Sequence, residues 1–353
     1  MKGHRDMRFE DLYIAGAAVH LEGTTTVAEA LRDGRCDERT ATRSGIASVA
    51  VSTGSSAPEL AVGAARQVLE RTGTHPTDID LVLHATVQHQ GHDLWAPASY
   101  IQRYALGNRC PAIEIKQLSN GGMAALELAS AYLAGAPGPT AGLLTTGDVF
   151  TDPGFDRWRS DPGTVYGDAG TALVLARGRG GFARLRSLVT VSDADLEQMH
   201  RGRDPFSPVP FAVRQPIDLG LLQRAFIEDT GRSYSVARIT AGQDETLKRA
   251  LAEADCTLAD LSWFVLPNFG RGRLNSTFLR RWSIEEERTT WRWGRSVGHL
   301  GAGDQFAGLA FLAESGRARA GELGLLFGVG AGFTWSCAIV EFTGTGAGET
   351  GSG

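Results

Sequence analysis

At 353 residues, 42% of them hydrophobic and 21% charged, the chain can bury a large core, and its composition is that of an ordinary soluble globular protein. A net charge of −5, with arginines scattered rather than clustered, argues against a general nucleic-acid binder, and no apolar run approaches the ~20 residues of a membrane span. The cysteines Cys36, Cys110, Cys256 and Cys337 lie far apart with no C-x-x-C pair, so neither a zinc site nor a disulfide framework is expected. No charged and apolar leader opens the sequence; a reducing cytoplasm is the expected compartment.

In chain order, Leu12–Leu21 reads as a first strand. Thr26 followed by Glu29 is a capping box that starts a helix. Glu59–Arg71 is an amphipathic helix stopped at Gly73, and Asp78–His84 is the strand after it. Pro111–Ile115 reads as a short strand, and Met123–Ala134 as a helix apolar nearly all round, as a buried helix is. Between them lies the small polar turn Leu118-Ser119-Asn120-Gly-Gly122, which puts Ser119 at a helix start. There, unpaired backbone N–H groups and the helix dipole favour developing negative charge.

The second half repeats the pattern. Glu245–Ala254 is again a helix and Asp260–Leu266 again a strand entered through an acidic residue. Gly142–Gly147 has a counterpart in Gly324–Gly328, and Gly167–Leu175 in Gly330–Val340. An internal duplication is the economical explanation, with halves at 1–180 and 181–343 and a flexible glycine-rich tail at 344–353. The turn equivalent to Ser119 then falls at Ser296–Asp304, before the helix Gln305–Ala313. Related halves packed about a pseudo-twofold axis bring such turns face to face, and so His299 towards Ser119. A serine hydroxyl needs an adjacent base, and the base needs a third group to orient it; Asp304 is the nearest candidate. Taken singly, Ser119 and Asp304 also read as helix caps and His299 as a residue packed at a glycine-rich turn.

Four segments carry a family resemblance: the Glu114–Met123 turn, Thr42-Arg-Ser-Gly-Ile46, Tyr166-Gly-Asp-Ala-Gly170 and Gly330-Ala-Gly-Phe-Thr-Trp335. In their order and spacing the chain resembles thiolase-fold enzymes of the ketoacyl synthase III type, from about Leu12 to Phe342. The departures are specific. Ser119 stands where the family has its nucleophilic cysteine, Pro267 with Asn268 where it has a histidine, and Gly298-His299 where it has Gly-Asn. Gly298-His299-Leu300 followed by Asp304 is similar to a divergent branch, the ketosynthase III-like acyltransferases of antibiotic and aromatic polyketide pathways, which includes priming enzymes with a serine nucleophile.

The resemblance implies a thiolase-like α/β fold of two duplicated halves in five layers, α-β-α-β-α, assembled as a homodimer. It implies Ser119, His299 and Asp304 as catalytic residues, with the Ser119 amide and the Gly328–Gly332 loop, through Gly330 and Gly332, as oxyanion donors. No bound cofactor is expected; the acyl donor is acyl-CoA or an acyl carrier protein through its phosphopantetheine, and the acceptor a second carrier or a small molecule. Arg43, Arg271 and Arg273, with Arg280 and Arg281, are expected to form a basic rim for a pantetheine phosphate or an acidic carrier, and Asn268 to contact the same arm. Arg39 takes the place of the tryptophan that stacks on the CoA adenine in the family, which favours carrier-bound donors.

Three functions fit: acyl transfer through Ser119, priming condensation with a malonyl carrier, and a non-catalytic carrier-binding subunit. Loss of the second-half histidine at Pro267 weighs against condensation. The Ser187–Arg238 segment, rich in Pro, Phe and Arg, matches least and is expected to shape the acceptor side. His89, His92 and Asp93 look superficially like metal ligands, but no third partner is evident, so no metal is expected; Arg177-Gly-Arg-Gly-Gly181 reads as a turn between the halves.

Overall fold

The computed structural model describes residue 9 and residues 11–135, 138, 140–178 and 180–344. Arg179 and residues 345–353 of the expected tail lie outside the described residues.

The first half runs β1 (Leu12–His20), β2 (Gly23–Thr26), α1 (Val27–Arg32), α2 (Glu38–Ser44), β3 (Ser48–Val51), α3 (Ala57–Thr72), β4 (Leu81–Ala85), α4 (Pro97–Ile101), β5 (Ala112–Ile115), α5 (Gly121–Gly135), β6 (Ala141–Asp148) and β7 (Ala169–Arg177). The second half runs β8 (Ala183–Ser192), α6 (Leu219–Thr230), α7 (Arg232–Glu253), β9 (Leu261–Val265), α8 (Arg271–Leu274), α9 (Arg280–Trp282), α10 (Trp291–Gly294), α11 (Asp304–Ser315), β10 (Leu323–Gly330) and β11 (Thr334–Phe342). Local chemistry sets several of these bounds. Thr26 and Glu29 close the expected capping box at α1. Ser56 and Glu59 close a second one at α3, which ends where Gly73 turns left-handed at φ 62°.

The sheet order is β5-β4-β6-β7-β1-β8-β11-β10-β9. In the first half β4 runs parallel to β6, while β7 is antiparallel to both β6 and β1. In the second half β9 runs parallel to β10, while β11 is antiparallel to both β10 and β8. The strand senses thus repeat between halves, and the two half-sheets are continuous where Tyr13 and Ile14 of β1 meet Arg184 and Ala183 of β8. Among the described residues β5 has no counterpart in the second half, and it forms one edge.

Helix packing completes five layers. α3 covers the outer face of β1, β6 and β7, and α7 the outer face of β8 and β11. α5 and α11 lie between the two half-sheets and touch each other. That middle layer explains the apolar covered faces of both: Met123, Leu126 and Leu133 of α5 and Phe306, Leu309 and Leu312 of α11 share one core with Leu144, Leu173, Val265 and Leu326 from the strands. At roughly 1.5–3 kcal/mol for each fully buried large apolar side chain, this layer is a main source of stability, and it holds the starts of α5 and α11 in fixed relation. No helix of the described residues is long and apolar enough to cross a membrane.

Candidate functional site

β5 ends at Ile115, and the chain reaches α5 through one tight turn, Leu118–Asn120. Leu118 adopts φ 49°, a left-handed conformation that costs a non-glycine residue roughly 1–2 kcal/mol and persists only where the surroundings hold it. They do hold it. The buried Asn120 donates through Nδ2 to Gln117 Oε1 (2.7 Å) and to Ser336 Oγ of β11 (2.8 Å). A side chain at Gly330 would run into the Gln117 carbonyl and Asn120, so β10 passes directly under the turn. On the other side, a Cβ on Gly122 would lie 2.6 Å from the Ala302 carbonyl. Ser119 therefore stands just ahead of α5, between β10 and the loop that carries His299.

That loop is fixed just as closely. His299 N–H donates to Val165 O and its carbonyl accepts from Gly167 N–H, both at 2.9 Å, so the Tyr166-Gly-Asp-Ala-Gly170 stretch is paired to it like a short strand. Asp148, at the end of β6, accepts from the amides of Val87 (2.7 Å), Gln88 (2.8 Å) and, in this loop, Ala302 (3.1 Å). Burial outweighs those three donors and pushes the Asp148 carboxyl up to about 6.

The imidazole of His299, 2% exposed, lies edge-on to Tyr166 at 4.8 Å and to Phe269 at 5.9 Å. Its Nε2 is 2.9 Å from Ser119 Oγ and its Nδ1 is 2.5 Å from Asp304 Oδ2. Asp304, the first residue of α11, is 1% exposed and is enclosed by donors. Oδ2 also accepts from Asn268 N–H (2.7 Å), and Oδ1 accepts from Leu300 N–H (2.8 Å) and Asn268 Nδ2 (3.2 Å). The arrangement gives a hydroxyl, a base and an orienting carboxylate in line, the requirement for an activated oxygen nucleophile.

Ser119 and His299 open on a cavity of about 240 Å³. Phe269, Ala331 and Phe333 form one wall, and Met199, His200, Gln223, Ile239 and Gln243 another. The latter come from the Ser187–Arg238 segment and the adjoining part of α7, so this segment does face the cavity. Gly332, at φ 138°, sits between the lining residues Ala331 and Phe333, where an added Cβ would meet nothing within 4 Å. The glycine loop expected to serve an oxyanion thus borders the cavity, whereas Gly330 itself faces the nucleophile turn.

Two of the expected carrier contacts sit elsewhere. Arg273 is not on a basic rim: its guanidinium lies in the cavity wall, donating to both carboxylate oxygens of Asp161 (2.9 Å each), to Thr164 Oγ1 (2.6 Å) and to the Pro162 carbonyl (2.5 Å). Burial pushes the Asp161 carboxyl up, but the charge and hydrogen bonds of Arg273 prevail and hold it below its ordinary value. Asn268, 3% exposed, is spent on Asp304 and on the Gly298 carbonyl (3.0 Å), so it acts on the orientation of the site instead of meeting a pantetheine arm. Arg43 and Arg271 do line an open surface groove of about 540 Å³ with Thr42, Asn275, Arg280 and Glu286. Arg271 spends part of its charge on Glu286 (3.0 Å). Arg39 shares a second cleft, of about 450 Å³, with Arg43, Trp158 and Arg159. His92 packs edge-on against Trp95 at 5.3 Å, and among the described residues no cluster of three metal-ligating side chains occurs.

Sequence reasoning missed Asp161, His200, Gln223 and Gln243 as cavity residues, and the role of Asn268 beneath Asp304. None carries a local signal, because each reaches the site from a different loop or helix.

Comparison with known proteins gives the chain its place. Residues 251–342 match the family described as 3-oxoacyl-[acyl-carrier-protein (ACP)] synthase III C terminal. ChlB3, an acyltransferase of known structure, is 34% identical, superimposes with a TM-score of 0.90, and is covered over 98% of its length by 94% of this chain. The chain belongs to the ketoacyl synthase III-like family of thiolase-fold proteins. The beta-ketoacyl-[acyl-carrier-protein] synthases III of Brucella anthropi and Thermosynechococcus vestitus are each 26% identical to it over 80% of this chain and 83% of their own. The 3-oxoacyl-(acyl carrier protein) synthase III of Xanthomonas oryzae, 19% identical with a TM-score of 0.76 over 95% of this chain and 100% of its own, shares the fold. Within this ketoacyl synthase III-like framework, the serine, histidine and aspartate described above occupy the starts of the two central helices and the loop between Gly298 and Asp304.

Proposed function

We propose that this protein is an acyltransferase that takes an acyl group from a carrier-protein or CoA thioester onto Ser119 and passes it to a carrier, an alcohol or an amine. The observation that carries this reading is the buried line Ser119 Oγ, His299 Nε2, His299 Nδ1, Asp304 Oδ2 at 2.9 and 2.5 Å, opening on one cavity. In the first half-reaction Ser119 Oγ attacks the thioester carbonyl while its proton passes to His299 Nε2. The tetrahedral oxyanion is met by the Ser119 amide and the loop to Gly332. The C–S bond then breaks, and His299 returns the proton to the departing thiolate. In the second half-reaction His299 takes the proton of the acceptor S–H, O–H or N–H, the acceptor attacks the Ser119 ester, the bond to Oγ breaks, and the proton goes back to Oγ.

The same line argues against priming condensation as the main activity. His299 is committed to Ser119 and Asp304, and Pro267 offers no side-chain donor to a second carbonyl. The exposed Arg43 groove supports an acidic or phosphorylated donor, hence an acyl carrier protein with its phosphopantetheine arm. A cytoplasmic homodimer of antibiotic or polyketide biosynthesis completes the proposal; the unpaired edge strand β5, with Ile113 half exposed, supports pairing with a second copy.

Intact-protein mass spectrometry after incubation with short acyl thioesters tests it. The expected result is a mass increase of one acyl group in the parent and none in Ser119→Ala. Equal acylation of Ser119→Ala would remove the nucleophile, and acylation of neither would favour a non-catalytic subunit. A β-ketoacyl product formed with malonyl carrier protein would favour condensation.

A further inference from the structure

The cavity beside Ser119 contains a second histidine that the transfer chemistry leaves unused. His200 ends the short helical stretch Ala194–His200 that follows β8, and its ring stands edge-on to Phe333 at 5.4 Å and 90°. Asp193, at the start of that stretch, exchanges two backbone hydrogen bonds with Phe333 (2.8 and 2.9 Å), so the stretch is fastened to the glycine loop that borders Ser119. The backbone of the stretch is thus held against the loop, and the ring rests on Phe333.

Neither ring nitrogen of His200 has a hydrogen-bond partner among the described residues, and the residue lines the cavity. Burial, with a smaller opposing effect of the Asp161 charge, lowers its pKa, so the imidazole is neutral and offers one donor and one acceptor. Gln223 of α6 lines the same cavity and likewise has no partner among the described residues. The charged groups nearby are already paired: Arg273 holds Asp161 at 2.9 Å, and Arg281, which also donates to Gln243, holds Asp244 at 2.5 Å. The free polar capacity here is thus uncharged. The cavity's roughly 240 Å³ corresponds to about eight water volumes at ~30 Å³ each, which accommodates a short acyl group.

We infer that the acyl group carried by Ser119 is short, uncharged and bears a hydroxyl or oxo substituent, and that His200, with Gln223, is the specificity residue that hydrogen-bonds this substituent. The inference rests on the acyl-enzyme reading given above. An alkyl chain of the same size would displace water from the half-buried imidazole and leave it unpaired, which disfavours that chain by roughly tenfold to a hundredfold. A free carboxylate is disfavoured too, because the Arg273 guanidinium in the wall is neutralised by Asp161.

The test is the acylation rate of Ser119, as kcat/KM from time-resolved intact-protein mass spectrometry, with N-acetylcysteamine thioesters of 3-hydroxybutyrate, butyrate and succinate. The parent is expected to prefer 3-hydroxybutyryl over butyryl by at least about tenfold, with succinyl slowest. His200→Phe keeps an aromatic ring against Phe333; it is expected to bring the hydroxybutyryl-to-butyryl ratio close to one by slowing the hydroxylated donor alone, with an unchanged melting temperature. Gln223→Leu should lower the same ratio without touching the ring. Equal rates for the two donors in the parent, or a preference that survives His200→Phe, overturns the inference while leaving the acyl-enzyme intact. Absence of acylation by every donor overturns the acyl-enzyme reading and this inference with it.

Discussion

Replacing Asp304 by asparagine probes the atom that decides which imidazole nitrogen is free. The carboxylate accepts from His299 Nδ1, Asn268 N–H, Leu300 N–H and Asn268 Nδ2, at 2.5 to 3.2 Å. An amide has one acceptor oxygen, so whichever way it turns, its NH₂ faces a donor. With NH₂ towards Leu300 and Asn268 Nδ2, the His299 contact survives, but the buried Leu300 N–H loses its partner at roughly 1–3 kcal/mol and Asn268 Nδ2 keeps only the Gly298 carbonyl. With NH₂ towards His299, Nδ1 must accept; the ring proton moves to Nε2, which then donates to Ser119 Oγ and takes nothing from it. The first orientation lowers stability and the second stops the base, so both a lower melting temperature and slower acylation are expected. By analogy with wrong-tautomer variants of hydrolytic triads, the acylation rate should fall about 10²- to 10⁴-fold. Rapid-quench mass spectrometry of the acyl-enzyme gives the rate, and thermal unfolding shows that the variant is folded. In a Ser119→Cys background the loss should shrink, because a thiolate at a helix start depends less on a base. An Asp304→Asn variant that acylates within threefold of the parent rate refutes the orienting role of this carboxylate.

Two further outcomes follow from the packing around the site. Gly122→Ala should destabilise even though alanine is favoured over glycine inside a helix by about 1 kcal/mol, because the new Cβ would stand 2.6 Å from the Ala302 carbonyl, a backbone atom in the His299 loop. Slower acylation together with a lower melting temperature is expected, and a more stable, fully active variant would show that the α5 contact with this loop is slack. His84 of β4 is fully buried against Thr145 Oγ1 (2.9 Å) and Gln90 Oε1 (3.2 Å), and desolvation lowers its pKa to about 4. The unfolded chain binds the proton more readily, so the stability contributed by the neutral ring is full above about pH 6.5 and is lost as pH falls towards about 4. In His84→Gln the stability deficit relative to the parent should therefore shrink by about 2 kcal/mol between pH 7 and pH 5, measured by denaturant unfolding; a deficit constant over that range refutes the assignment. Asp148, with its pKa raised, acts in the opposite sense over an overlapping range in both proteins and cancels from the comparison.

Much of this molecule is local chemistry and was legible as such. The capping box at Thr26, the helix stop at Gly73 and the apolar character of α5 and α11 depend on residues within a few positions of one another. The repeat of strand and helix pattern is also a property of the string, and it led to His299 and Asp304 because a duplicated turn must lie at a duplicated place. Tertiary structure decided what those turns meet. Ser119 and His299 are 180 residues apart, and their 2.9 Å contact exists because α5 and α11 share one layer and their starts are pinned by Asp148, Gly122 and β10. The same holds where expectation and structure part. Arg273 and Asn268 look like exposed polar residues of a loop; Asp161, 112 residues away, draws the first into the cavity wall, and Asp304, 36 residues away, takes up the second. His200 shows no signal at all in sequence, since what distinguishes it is a pair of ring nitrogens without partners among the described residues, and only the packing of the other elements around the cavity reveals that.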